Sequence, residues 1–82
     1  MHTIFLNGGD YTTARELHET LKRLLRLPDY YGYNADALHD CLAERRETVN
    51  LLVWGQGNGD VSAALSKCEA VIRDLGGKVI RL

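Results

Sequence analysis

The chain is poor in the features that usually announce a special environment. It has two cysteines and one proline, and no apolar run approaches the roughly 20 residues that a membrane-spanning helix needs. Cys41 and Cys68 form neither a CxxC pair nor a zinc-ligand pattern, so both are expected to be free thiols and small core residues. The segment from Met1 to Asp10 lacks a basic stretch followed by an apolar one. No signal peptide is expected there, which points to the cytoplasm. No internal repeat, linker or long polar tail interrupts the sequence. The glycine-rich stretch Gly55–Gly59 lacks the GxGxxG spacing and the Lys-Ser/Thr of a P-loop, so it is read as a flexible loop, not as a phosphate cradle. At 82 residues one domain is expected, burying roughly 60–70% of the unfolded surface. That leaves one modest core and little volume for a catalytic cleft.

One further absence is local. From Leu27 to Glu44 there is no lysine or arginine, while Asp29, Asp36, Asp40 and Glu44 all fall within that window. The window carries −4 in a chain of net charge −1, so the rest of the chain carries +3. Three of the four tyrosines (Tyr30, Tyr31 and Tyr33) are in the same window. Composition alone is also compatible with a solvated acidic turn and helix face. The overall charge argues against a general nucleic-acid binder.

The chain reads as alternating strands and helices. Thr3–Leu6 is a short β-favouring run ended by the turn Asn7-Gly8-Gly9-Asp10. Thr13 stands three residues before Glu16, the spacing of a capping box, and opens a helix. Its apolar face is Leu17, Leu21, Leu24 and Leu25, with Arg15, Glu19, Lys22, Arg23 and Arg26 outward. Pro28 stops it by Leu27. After the loop Asp29–Tyr33, Asn34 is the N-cap of a second helix reaching about Arg46. On that helix Leu38, Cys41 and Leu42 share one side, and Asp36, His39, Asp40 and Ala43 the other. Asn50–Trp54 is a buried strand. Asp60 is expected to cap a third helix striped by Val61, Leu65, Cys68, Ile72 and Leu75. Gly76-Gly77 ends it, and Lys78–Leu82 is the last strand. Strands separated by helices predict an α/β fold with a three-stranded parallel sheet, order 1-2-3, packed against helices.

The stretch Leu27-Pro28-Asp29-Tyr30-Tyr31-Gly32-Tyr33-Asn34-Ala35-Asp36-Ala37-Leu38-His39-Asp40-Cys41-Leu42 resembles the central segment of the barstar family. The likeness extends to Leu17-His18, Thr20-Leu21-Lys22 and the Asn7-Gly8 turn, and more loosely to the order of elements over a single barstar-like domain, residues 1–82. Members of that family are intracellular inhibitors of a secreted bacterial ribonuclease. The resemblance implies a partner, a barnase-like ribonuclease or related nuclease toxin, held one to one. It implies no catalysis, cofactor, metal or membrane, and no direct contact with nucleic acid. It further implies that Asp40 is the deepest phosphate mimic, flanked by Asp36, and that Tyr30 stacks on the enzyme's catalytic base. Tyr31, Gly32, Asn34, Ala35, His39 and Ala43 complete the implied partner-binding set. Carboxylates suit this role because a ribonuclease holds phosphates in a cationic pocket, and Asp side chains can pair there with Arg, Lys or His. His39 stands where barstar has a tryptophan. Glu69 and Asp74 are candidates for a further acidic contact from the last helix.

Rival readings rest on the same residues. Asp36, His39 and Asp40 at i, i+3, i+4 are a partial metal-ligand set. Asp36 and Asp40 one turn apart invite an acid–base hydrolase, although no nucleophile or oxyanion device accompanies them. A protein of the same fold could also confer immunity to a different nuclease toxin.

Overall fold

The structure is a computed structural model and describes residues 2–82. Met1, the first residue of the expected 1–82 domain, lies outside them. Strands β1 (His2–Asn7), β2 (Val49–Trp54) and β3 (Val79–Arg81) form a parallel sheet in the order β1-β2-β3. Helices α1 (Ala14–Leu25) and α2 (Ala35–Arg45) lie between the first two strands, and α3 (Gly59–Asp74) between the last two. His2 to Asn7 align with Val49 to Trp54, and Leu51 to Val53 with Val79 to Arg81. This is the α/β arrangement with sheet order 1-2-3 that the alternation of elements predicts.

Period-two burial fixes which face of the sheet carries the helices. Ile4, Leu6, Val49, Leu51 and Val53 are buried beneath them, with Leu17, Leu21, Leu25, Leu38, Leu42, Leu65, Cys68 and Ile72. The opposite face carries Phe5, Leu52 and Ile80 in one register row and Trp54 in the next. Phe5, Trp54 and Ile80 are exposed. Parallel sheets usually have both faces covered, so this one is unusual in leaving an apolar face open.

The helix ends explain where the connections run. Thr13 and Glu16 form the reciprocal capping box at the start of α1. At its end Arg26 turns left-handed (φ 51°) and the Leu27 N–H donates to the Lys22 carbonyl at 2.9 Å. The helix thus closes at Leu25, two residues before the limit set by Pro28. The same closure ends α2, with Arg46 left-handed and the Glu47 N–H on the Leu42 carbonyl. The expected cap of α3 is corrected: Asn58, not Asp60, accepts the Val61 N–H, at 3.0 Å. Asp60 sits in the first turn instead, where the helix dipole favours an acid. The glycines of the preceding loop serve contact as well as flexibility. A Cβ on Gly57 would come within 2.8 Å of the Gly8 carbonyl oxygen, so the two glycine turns pack backbone on backbone. β3 is shorter than the expected Lys78–Leu82, although the Leu82 N–H still reaches the Val53 carbonyl.

Candidate protein-binding site

Neighbouring tyrosines in the loop between α1 and α2 go opposite ways. Tyr30 is 76% exposed and Tyr31 2%. The Tyr31 N–H donates to the Pro28 carbonyl at 3.0 Å, a tight turn that sends consecutive side chains to opposite sides of the loop. Tyr31 Oη lies 2.6 Å from Nδ1 of His18 on α1 and 3.4 Å from the Asn34 carbonyl oxygen. Tyr31 is therefore in the core. Of the residues expected to meet a partner, it is the one whose side chain supports the surface from beneath.

His18 is itself buried, with Nε2 4.0 Å from Sγ of Cys68 on α3. Burial lowers the His18 pKa and raises that of Tyr31, and it pushes the Cys68 thiol up to about 12. This is a Cys–His contact without an activated nucleophile, because desolvation holds both partners neutral. Its structural effect is to tie α1, the loop, the start of α2 and α3 together. Cys41 is also buried with its pKa raised, chiefly by desolvation, so both cysteines are the free core thiols expected.

Asn34 builds the entry to α2. Its Oδ1 accepts the Ala37 N–H at 2.8 Å and its Nδ2 donates to the Gly32 carbonyl at 3.2 Å. Gly32 is exposed on the loop, and an added Cβ would meet Ala37 at 3.3 Å. From this anchored start, α2 directs Leu38, Cys41 and Leu42 inward. Asp36, Asp40 and Ala43 are exposed, with His39 and Ala35 half-buried beside them. The structure therefore gathers Tyr30, Gly32, Asn34, Ala35, Asp36, His39, Asp40 and Ala43 along one loop and helix. At the far end, the Arg45 guanidinium donates to the Leu25 and Arg26 carbonyls, joining the end of α2 to the end of α1.

Two features of the surroundings were not among the sequence expectations. Asp36 lines a groove of about 590 Å³ between the start of α2 and α3, whose other wall includes Asp60, Ala63, Ala64 and Lys67. The acid that shares this groove with Asp36 is Asp60. Glu69, a candidate for an acidic contact from α3, is instead 4% exposed and turned toward β3. Arg81 approaches its Oε2 at 2.8 Å, but without the direction of a hydrogen bond, so the oxygen is ion-paired and otherwise unpartnered. Asp74 is exposed near the end of α3. The second feature is Tyr33, left-handed at φ 54° immediately before the N-cap. Nothing in its spacing could have signalled this, because left-handed backbone favours Gly, Asn or Asp.

Among the described residues no group of three His, Cys, Asp or Glu side chains is placed to hold a metal ion, Asp36, His39 and Asp40 included. Among the same residues, no helix is long and apolar enough to cross a membrane.

The chain is similar over 42 residues, at 50% identity, to a protein of Bacillus subtilis (strain 168) named "Putative ribonuclease inhibitor YrdF". That match covers 51% of this chain and 46% of the relative, so the chain spans about half the length of the curated relative it matches. A family model described as barstar (barnase inhibitor) matches residues 1–76. With β1, β2, all three helices and the loop–α2 segment within that match, the chain belongs to the barstar family.

Proposed function

We propose that this protein inhibits a ribonuclease by occluding its active site, one to one, with the loop Asp29–Asn34 and the outer face of α2. The observation that carries the reading is the division of α2. Asp36 and Asp40 stand exposed one turn apart on a helix whose other side is locked into the core by Leu38, Cys41 and Leu42. In this reading Asp40 and Asp36 occupy phosphate positions, where cations of the enzyme pair with them. Tyr30 lies flat on the enzyme's catalytic base, an aromatic anchor that costs little conformational entropy to fix. Gly32 lets the backbone approach closely, Asn34 holds the junction, and Ala35, His39 and Ala43 complete the contact. Tyr31 acts through its place beneath the loop.

The inhibitor acts by stoichiometry and not by catalysis. Its buried Cys–His contact is neutralised by desolvation, and Asp36 and Asp40 face solvent without a nucleophile beside them. It needs no cofactor and does not itself bind RNA, and its place is the cytoplasm of the cell that it protects.

The test is cleavage of a fluorogenic RNA by a guanyl-preferring bacterial ribonuclease, titrated with this protein. Activity should fall linearly to zero near one equivalent. If that enzyme is untouched, proteins bound to the inhibitor in an extract of its source cell are identified and assayed. Recovery of a different nuclease keeps the mechanism and changes the target, the outcome that His39 in the tryptophan position would explain. Failure against every nuclease recovered removes the proposal.

A further inference from the structure

The loop that carries Tyr30 is strapped to α1 at three points. Arg15, His18 and Lys22 follow one another at i, i+3, i+7, so they share one face of that helix. Each meets a different loop residue. His18 holds Tyr31 at 2.6 Å, and Lys22 faces Asp29 at 3.8 Å. The Arg15 guanidinium lies 4.2 Å from the centre of the Tyr33 ring. Lys22 adds a second cation 5.7 Å from the same ring and 3.4 Å from its hydroxyl. The Tyr33 ring also tilts against Tyr31, 5.4 Å between centres. Between the straps, Tyr30 and Gly32 are exposed.

Tyr33 has a left-handed backbone, which a bulky side chain disfavours. Such a conformation persists only where the surroundings over-determine it. Here the surroundings are two cations and a tyrosine ring converging on one aromatic side chain, a geometry within the roughly 6 Å over which cation–π attraction acts. The conformation has a consequence for the site. It turns the chain from the loop into α2, fixing where Asn34 begins the helix and hence how Gly32 and Tyr30 stand relative to Asp36 and Asp40.

We propose that Tyr33 is a positioning residue for partner recognition: its ring, clamped by Arg15 and Lys22, holds the loop in its binding conformation before the partner arrives. The effect on affinity rests on the ribonuclease-inhibitor reading, whereas the holding of the loop is a property of the free protein. A loop ordered in advance loses less freedom on binding, so the clamp raises affinity without making a contact.

The experiment compares Tyr33→Phe, Tyr33→Gly and Arg15→Gln with wild type. Glycine relieves the left-handed backbone but removes the ring. Phenylalanine keeps the ring and loses only the hydroxyl. In the free proteins, 15N relaxation should give loop residues 29–33 order parameters near the rigid value of about 0.85 for wild type and Tyr33→Phe, and below about 0.6 for Tyr33→Gly. Arg15→Gln should fall between them. Affinity for the ribonuclease of the inhibition assay should weaken about tenfold in Tyr33→Gly and stay unchanged in Tyr33→Phe, with thermal unfolding remaining cooperative. An equally rigid loop in Tyr33→Gly and Arg15→Gln overturns the proposal. So does a loop loosened as much by phenylalanine as by glycine, and so does a loosened loop with undiminished affinity. Should Tyr33→Gly fail to fold, Tyr33→Phe and Arg15→Gln still decide the matter by the same measurements. A wild type that inhibits no ribonuclease brings down the inhibitor reading alone, and the relaxation data show separately whether the clamp exists.

Discussion

The inner and outer faces of residues 27–44 obey different rules, although they share one backbone. The inner face (Leu27, Tyr31, Leu38, Cys41 and Leu42) is buried and closely packed. The outer face (Tyr30, Asp36, Asp40, Ala43 and Glu44) is exposed and has no internal work to do. Tyr30 and Tyr31 compress the contrast into adjacent residues of one type. The difference teaches that stability and recognition are separable here. Substitutions at Leu38, Cys41 or Leu42 should lower the melting temperature and impair inhibition only through unfolding, while substitutions outside should weaken inhibition and leave the melting temperature nearly unchanged.

The largest effect expected is on the inner face. Leu42 is 1% exposed, and Leu42→Ala should destabilise the protein by about 2–5 kcal/mol, measured by urea unfolding. Inhibition by the fraction that remains folded should be normal. Lost inhibition in a stably folded Leu42→Ala protein would dissolve the distinction between the faces.

Next comes Asp40→Ala, which should weaken inhibition at least about thirtyfold, or about 2 kcal/mol, by leaving desolvated cations of the enzyme without a partner. The ranking of Asp40 above Asp36 and Tyr30 comes from the family resemblance, since both aspartates are exposed on the helix. The melting temperature of Asp40→Ala should hold or rise, because one of two neighbouring like charges is gone. An unfolded Asp40→Ala would make the aspartate structural. The charged window also predicts electrostatic steering. Stopped-flow association should slow by about tenfold or more between low and high ionic strength, with dissociation little changed.

A smaller effect tests the buried junction beneath the loop. Burial depresses the His18 pKa below its ordinary 6.5, so the unfolded chain takes up a proton before the folded one does. This contribution is complete above about pH 6.5 and is lost as pH falls from there through the lower folded value. Stability should therefore decline on acidification through that range in wild type, and less in His18→Gln. Parallel pH profiles for the two would remove the junction from the account.

How much of this was legible in the sequence depended on whether a residue sat in a repeating environment. The inner side of α2 follows from the 3.6-residue period, and the parallel sheet from strands spaced by helices. The capping box of α1 was readable because Thr13 and Glu16 bond each other. The loop has no period, so no pattern in the residues separated Tyr30 from Tyr31; only the family resemblance did. The orientation is set by a partner on another helix, His18, which falls on the same face as Leu21 and Leu25 but is polar. Asn58 displaced Asp60 as the cap of α3 because both are competent caps, and the choice depends on where the glycine loop packs. The apolar row on the open sheet face was hidden too, since alternation in β1 and β2 does not say which face the helices take.

The smallest expected effect corrects a natural control. Glu47 lies beyond the recognition segment, so Glu47→Ala should leave inhibition unchanged. Its carboxylate is not idle, however, lying 3.2 Å from His2 and 3.7 Å from Arg45. The variant should lose up to about 1 kcal/mol of stability, the scale of a partly exposed ion pair.

The Arg45 guanidinium bridges the last carbonyls of α1 from the last turn of α2. In mechanical terms it is a gauge that sets the span between the loop's starting point and the helix that carries the aspartates. Under the proposed inhibition, a partner meeting Tyr30 and Asp40 at once would meet a set separation, and nucleases whose pockets are spaced otherwise would bind less well however well their charges match. Lysine at this position would keep the charge but lack the rigid fork that grips two carbonyls at once. The two halves of the recognition surface would then drift relative to each other, and discrimination between nucleases would blur with every contacting side chain still in place.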